Sequence, residues 1–260
     1  MGRGTWNVES GVDMPDALGY RAKIGVLVPA TNTIAEPEYH AMAPRGVTLH
    51  TGRFSFGQRE LREAGSGGEL PDTARAALEP TVRQVLACAP DHLIVGMSAP
   101  SYWGGRDGSA AFTRWLEGQA GRPITTAAQA FDRALRALGA RRLAILTPYT
   151  TEITDRVKGF FVDAGYDVLA TLSMNITAPL SIAEVTEDRL REALIELNRA
   201  DAEAIVQSGT NLAFARLADE AERWLNKPVL AVNAATLWDA LRRLDISDRI
   251  DGFGRLLREH

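Results

Sequence analysis

"KIGVLVPATNTIAEPEY", residues 23–39, is an apolar run that stops at a proline, passes through a Thr/Asn turn and enters an acidic helix start. The run is continuous rather than alternating, which is how a strand buried on both faces reads. The same order returns at 143–157 as "LAILTPYTTEITDRV". Two further pairs follow suit. "LIVGMSAPS" (93–101) and "AIVQSGTNL" (204–212) are strands ending in small polar turns. "PITTAAQAFDRALRAL" (123–138) and "PVLAVNAATLWDALRRL" (228–244) share Ala-Leu-Arg, at 134–136 and 240–242. An internal repeat of just under half the chain therefore predicts two similar α/β lobes related by a pseudo-twofold axis.

Outward from these pairs, strands are expected at 23–29, 47–54, 91–98, 141–149, 166–174, 202–209 and 227–233. Helices are expected at 72–87, 127–139, 152–164, 184–199 and 234–244. Short apolar strands joined by helices make a mostly parallel sheet flanked by helices. The expected organisation is a flexible arm (1–20), an N-terminal lobe (21–125), a C-terminal lobe (126–245) and a tail (246–260) packed on a lobe. The polar, glycine-rich stretch 57–70 reads as a mobile loop that could form a lid.

The totals exclude several classes. With 260 residues and a net charge of −4, the chain has no basic excess to recommend nucleic acid. No apolar run approaches the ~18 residues of a membrane span, and the first 20 residues lack the apolar core of a secretory signal. One cysteine rules out an intrachain disulfide framework and fits a reducing cytoplasm. The four histidines show no metal-ligand spacing, and "WGGRDG" (103–108) lacks the Gly-Lys-Ser/Thr of a phosphate loop.

Ligands of open parallel sheets bind beyond the carboxyl ends of the strands. Two facing lobes would put four such turns round one cleft: 29–33, 96–101, 147–151 and 207–211. They offer Thr31, Asn32, Met97, Ser98, Tyr149, Thr150, Ser208, Gly209, Thr210 and Asn211. Hydroxyls and free amides suit a carboxylate, and with no cation inside the turns they would act as preorganised neutral donors. Each has a plainer reading as a helix cap. Glu36 and Glu152 suit a helix dipole, Cys88 a buried small residue, and His50 a satisfied strand side chain.

The combination of P-x-x-N-T at 29–33 with T-P-Y-T at 147–150, together with "GVTLHTGRF" (46–54), resembles maleate cis-trans isomerases and arylmalonate decarboxylases of the Asp/Glu racemase superfamily. The resemblance covers about 21–245. It implies a two-lobed α/β fold, no metal, no organic cofactor, and a homodimer or higher homo-oligomer. Family members place a working cysteine at one or both central strand ends. Carried over, the first position falls at Gly96 or Met97 and the second at Ser208, so both thiols are missing. Asn32, Ser98, Tyr149 and the Gly209 amide map onto contacts with a carboxylate or enediolate. Thr31, Met97, Thr150, Thr210 and Asn211 complete the expected substrate site, with Ser208, Tyr149 and Ser98 as its catalytic hydroxyls. The expectation is a cytoplasmic, cofactor-independent enzyme of a small carboxylate or dicarboxylate, working through an enolate-like intermediate as a decarboxylase-type lyase. The alternatives are a cis-trans isomerase or hydrolase of a maleate- or maleamate-like substrate, or a silent carboxylate binder.

Overall fold

The computed structural model describes residues 16–55 and 72–260. The expected loop at 57–70 and most of the expected arm, residues 1–15, lie outside them. The first sheet holds β1 (Ala22–Pro29), β2 (Val47–Phe54), β3 (His92–Val95) and β4 (Ile124–Thr125) in the order β2-β1-β3-β4. The second holds β5 (Arg142–Thr147), β6 (Asp167–Ser173), β7 (Ala204–Gln207) and β8 (Val229–Ala231) in the order β6-β5-β7-β8. All pairings are parallel. Each strand of one sheet thus has a counterpart at the same place in the other, and the repeat read in the sequence is a repeat of topology.

Among the described residues the α-helices are α1 (Ala35–Met42), α2 (Asp72–Leu86), α3 (Gly105–Ala120), α4 (Ala127–Leu138), α5 (Thr151–Asp163), α6 (Glu187–Leu197), α7 (Ala215–Leu225), α8 (Val232–Arg243) and α9 (Arg255–Glu259). Helices α3, α7 and α9 were not among those expected, and α8 begins earlier than expected. Helix α3 begins in "GGRDG", whose glycines disguise a start made by Gly104 and Gly105 in left-handed conformations. Helix α7 was hidden because its buried face includes Asp219 and Glu222, so its apolar stripe is broken. Helix α8 starts at Val232, inside the expected strand, because β8 needs only three residues to span the sheet there.

The central strands are continuous in hydrophobicity because both faces are covered. Ile24, Val26, Leu27, Ile145, Leu146, Ile205 and Val206 are all buried, each worth roughly 1.5–3 kcal/mol of transfer free energy. One apolar cluster runs through both lobes, from Ile24, Tyr39 and Met42 to Phe131, Ile145 and Trp238. A second, with Phe54, Val85, Met97, Trp103 and Phe112, fills the space under α2 and α3.

Polar groups pin the lobes together. Tyr39 of α1 meets Thr236 of α8 at 2.8 Å. Helix α8 also leans on β3 and β4 of the first sheet, where its Asp239 accepts from Thr125 at 2.6 Å and from Arg133. At the C-terminus, Asp219 accepts from the Gly254 amide and Arg258, and Glu222 accepts from the Arg255 amide. Two buried carboxylates of α7 so hold 254–258 against the second lobe.

Candidate active site

The carboxyl ends of the two central strand pairs face each other, and the four expected turns meet there. Hydrogen bonds across the lobe boundary define their placement. Asn32 Nδ2 donates to Thr210 Oγ1 at 3.0 Å, and Thr210 Oγ1 donates to the Gly96 carbonyl at 3.0 Å. The Thr33 amide donates to Asn211 Oδ1 at 2.9 Å. Asn211 Nδ2 reaches the Pro179 carbonyl at 3.0 Å and the Thr31 carbonyl at 3.5 Å. Turns 29–33, 96–98 and 207–211 are thereby locked into one unit.

The plainer cap reading holds for one of the hydroxyl and amide residues and fails for others. Asn32 Oδ1 accepts from the Ile34 and Ala35 amides, at 3.0 and 2.9 Å, and caps α1. Ser98 and Thr150 stand at helix starts without making a side-chain cap. Neither hydroxyl is spent on capping.

Ser98 Oγ lies 2.6 Å from Tyr149 Oη, and the Ala99 amide also serves that phenol. Burial pushes Tyr149 up to about 12 against these two hydrogen bonds. Ser208 Oγ donates to Tyr102 Oη at 2.9 Å. Burial raises that phenol well above its ordinary value, opposed by the Ser208 contact. The arrangement is reciprocal: a serine of each lobe meets a tyrosine of the other. Both serines are fully buried, while Thr31 is exposed and Tyr149 and Thr150 are half-buried towards solvent.

The backbone of the second turn is demanding. Gly209 has φ of +150°, and a Cβ there would lie 2.4 Å from Pro148 Cδ, so a side chain does not fit. Strand register makes Gly96 and Ser208 counterparts. The Gly96 amide donates to Leu27 of β1 at 2.8 Å, and the Ser208 amide donates to Leu146 of β5 at 2.9 Å. Met97, the other expected first position, turns its side chain into the apolar cluster with Phe54 and Trp103.

Cys88, the chain's single cysteine, donates its thiol to the Val85 carbonyl at 3.0 Å, just beyond the end of α2. It precedes β3, at the amino edge of the sheet. The candidate site is at the opposite edge.

Three contributors went unread in the sequence. Tyr102 sits in a 3₁₀ turn, Ala99–Tyr102, four residues after Ser98, and its ring packs on Phe160 and Phe161 at 5.5 and 6.1 Å. An aromatic one helical turn beyond a site serine was the available signal. Glu38 of α1 accepts from the Phe214 and Ala215 amides at 2.9 Å each and from Asn233 at 2.7 Å. It caps α7 of the other lobe, and Asn233 in turn donates to the Thr210 carbonyl at 3.0 Å. Burial raises the Glu38 carboxyl above its ordinary value. Arg53, at the end of β2, donates to the Asn32 carbonyl at 2.9 Å and pairs with Glu36 at 2.5 Å. A cation therefore stands beside the first turn although none lies within it.

A sequence profile described as arylmalonate decarboxylase matches residues 24–257. The chain belongs to that family. A maleate isomerase of Nocardia farcinica is 26% identical over 249 residues, covering 93% of this chain and 97% of the relative. The arylmalonate decarboxylase of Bordetella bronchiseptica is 30% identical over 162 residues, covering 61% of this chain and 68% of that enzyme. Among solved structures, a cysteine-to-serine variant of the Nocardia farcinica maleate cis-trans isomerase carries a covalently bound succinylcysteine intermediate. It superposes with a TM-score of 0.83 at 23% identity, over 92% of this chain and 99% of that one. A doubly substituted arylmalonate decarboxylase in liganded form gives a TM-score of 0.81 at 25% identity, over 92% and 100%. The two-lobed α/β fold is common to all of them. Within the arylmalonate decarboxylase family, this chain has Gly96 and Ser208 at its paired strand ends and its sole thiol elsewhere. No helix among the described residues is long and apolar enough to cross a membrane.

Proposed function

We propose that this chain is a cofactor-independent lyase that decarboxylates a small malonate-type acid through an enediolate. The observation that supports it is the reciprocal pairing of Ser98 with Tyr149 and Ser208 with Tyr102 at the joined strand ends. These are neutral donors in a buried setting, and a donor fixed before the reaction stabilises developing oxyanion charge without reorganising. Both phenols are raised by burial, so at neutral pH each keeps an O–H available for donation and does not act as a base.

In this reading the retained carboxylate is held by Ser98, Tyr149, the Gly209 amide and the second N–H of Asn32. An amide nitrogen has two hydrogens, and Thr210 takes one. The bond from the α-carbon to the departing carboxyl breaks, carbon dioxide leaves, and the electron pair passes into the retained carboxylate as an enediolate. Ser208 then gives its proton to the α-carbon, and water restores it when product leaves.

A thiolate adduct would need a cysteine at these strand ends, and Cys88 lies at the other edge. The side chains that could serve as a base for two-sided proton transfer are engaged elsewhere. Glu36 is held low by Arg53, and His50 bonds Thr48 at 2.9 Å part-way along β2. These contacts favour the lyase over an isomerase or hydrolase. A homodimer or higher homo-oligomer in the cytoplasm belongs to the same proposal, tested by light scattering and fractionation.

The deciding experiment incubates the protein with aryl- and alkylmalonates, maleate and maleamate in deuterated water. Carbon dioxide release with one deuterium at the product α-carbon is expected from a malonate. Fumarate from maleate without carbon dioxide would move the chain to the isomerases. Ligand binding with no turnover of any compound would make it a carboxylate binder.

A further inference from the structure

We infer that Tyr102 is the positioning residue for the proton-donating Ser208, a role that rests on the decarboxylase reading above. The Ser208–Tyr102 contact joins the second lobe to the first across 106 residues of sequence. Tyr102 is the phenol that Ser208 reaches, and it cannot turn away. Its ring is fully buried and wedged edge-on against Phe160 at 5.5 Å and tilted on Phe161 at 6.1 Å. The following Trp103 is buried in the adjoining apolar cluster, and the preceding Ser101 donates to the Ser98 carbonyl at 2.7 Å. The short turn carrying Tyr102 is thus fastened to the turn that carries Ser98.

A serine is a poor acid, and among the described residues no ionised group is hydrogen-bonded to the Ser208 hydroxyl. What it has is one phenol in fixed hydrogen-bond reach. Without ligand the serine donates to the phenol. A carbanion-like α-carbon beside Ser208 would draw the serine proton towards itself. The phenol then rotates its own O–H onto Ser208 Oγ across the same 2.9 Å. No heavy atom moves. One O–H bond of Ser208 breaks, one C–H bond forms, and the alkoxide left behind is stabilised by the Tyr102 donor until water protonates it.

The mirror-image pair has a different task. Ser98 and Tyr149 both face the retained carboxylate in the proposed function, and Tyr149 is half-buried towards solvent. Tyr102 has no such outlook. Its hydroxyl acts through Ser208.

The test compares Tyr102→Phe, Ser208→Ala and the double variant on the malonate turned over fastest. Removing the phenolic oxygen should lower kcat by about tenfold to a hundredfold with KM within about twofold, as loss of a group acting only in the transition state predicts. The solvent deuterium isotope effect on kcat should rise, and in the double variant the rate should equal that of Ser208→Ala. Circular dichroism confirms that each variant is folded. Native kcat in Tyr102→Phe, or additive losses in the double variant, would overturn the inference while leaving the decarboxylase reading intact. A native protein that releases no carbon dioxide from any malonate would overturn both.

Discussion

Asn32→Ala separates substrate binding from capping, because the two roles use different atoms of one buried amide. Its Oδ1 accepts the Ile34 and Ala35 amides, and its Nδ2 donates to Thr210 across the lobe boundary. Loss of an N-cap costs about 1 kcal/mol, and loss of a net hydrogen bond costs about 1 kcal/mol more. At about 2.1 cal/mol/K per residue, the 260 residues have an unfolding entropy of about 0.55 kcal/mol/K. A destabilisation of about 2 kcal/mol therefore lowers Tm by about 4 °C. The spare N–H of Asn32 offered to a carboxylate is a charge-assisted bond worth about 1.5–3 kcal/mol, so kcat/KM should fall by about tenfold to a hundredfold. Asn32→Asp splits these effects. It keeps the cap acceptor, and it sets a negative charge where the substrate carboxylate should sit. We expect it to melt above Asn32→Ala and to turn over more slowly. Differential scanning calorimetry and initial rates on the same samples provide both numbers. If Asn32→Ala loses stability while kcat/KM is unchanged, or Asn32→Asp turns over like the native protein, the residue is a cap and the substrate lies elsewhere.

Ser208→Cys should fold, become sensitive to iodoacetamide, be protected by malonate ligands, and change turnover by at least about tenfold, or about 1.4 kcal/mol. Alkylation unaffected by ligand, read by mass spectrometry, would place the site away from Ser208. Cys88→Ser should keep native kcat, since its thiol faces Val85 at the amino edge of the sheet; inactivity in a folded variant would refute the placement. Glu38→Gln addresses pH. The carboxyl is raised above 4.5 by burial at the lobe interface, against its amide donors, Asn233 and the nearby Arg216. Below the unfolded-state value both states are protonated; as pH rises the unfolded chain ionises first, so stability falls until the folded-state value is passed. Tm of the native protein should therefore decline relative to Glu38→Gln as pH rises from about 4.5. A parallel pair of curves would mean that burial does not control this carboxyl.

Much of this protein is legible along the chain. Continuous apolar runs ended by Pro29 and Pro148 reveal buried parallel strands, and their recurrence in the same order reveals two like lobes, because burial on both faces leaves no alternation to write. The turns that end those strands carry Asn32, Ser98, Tyr149 and Ser208, so the stock of candidate groups could be read from local pattern alone. What the tertiary structure decided is partnership. Nothing near Ser208 in "AIVQSGTNL" points to Tyr102, and nothing in "EPEY" says that Glu38 will cap a helix of the other lobe. Those contacts arise when two separately twisted sheets dock through one shared core. Docking geometry depends on side-chain packing summed over both lobes, a property that no short window of sequence contains.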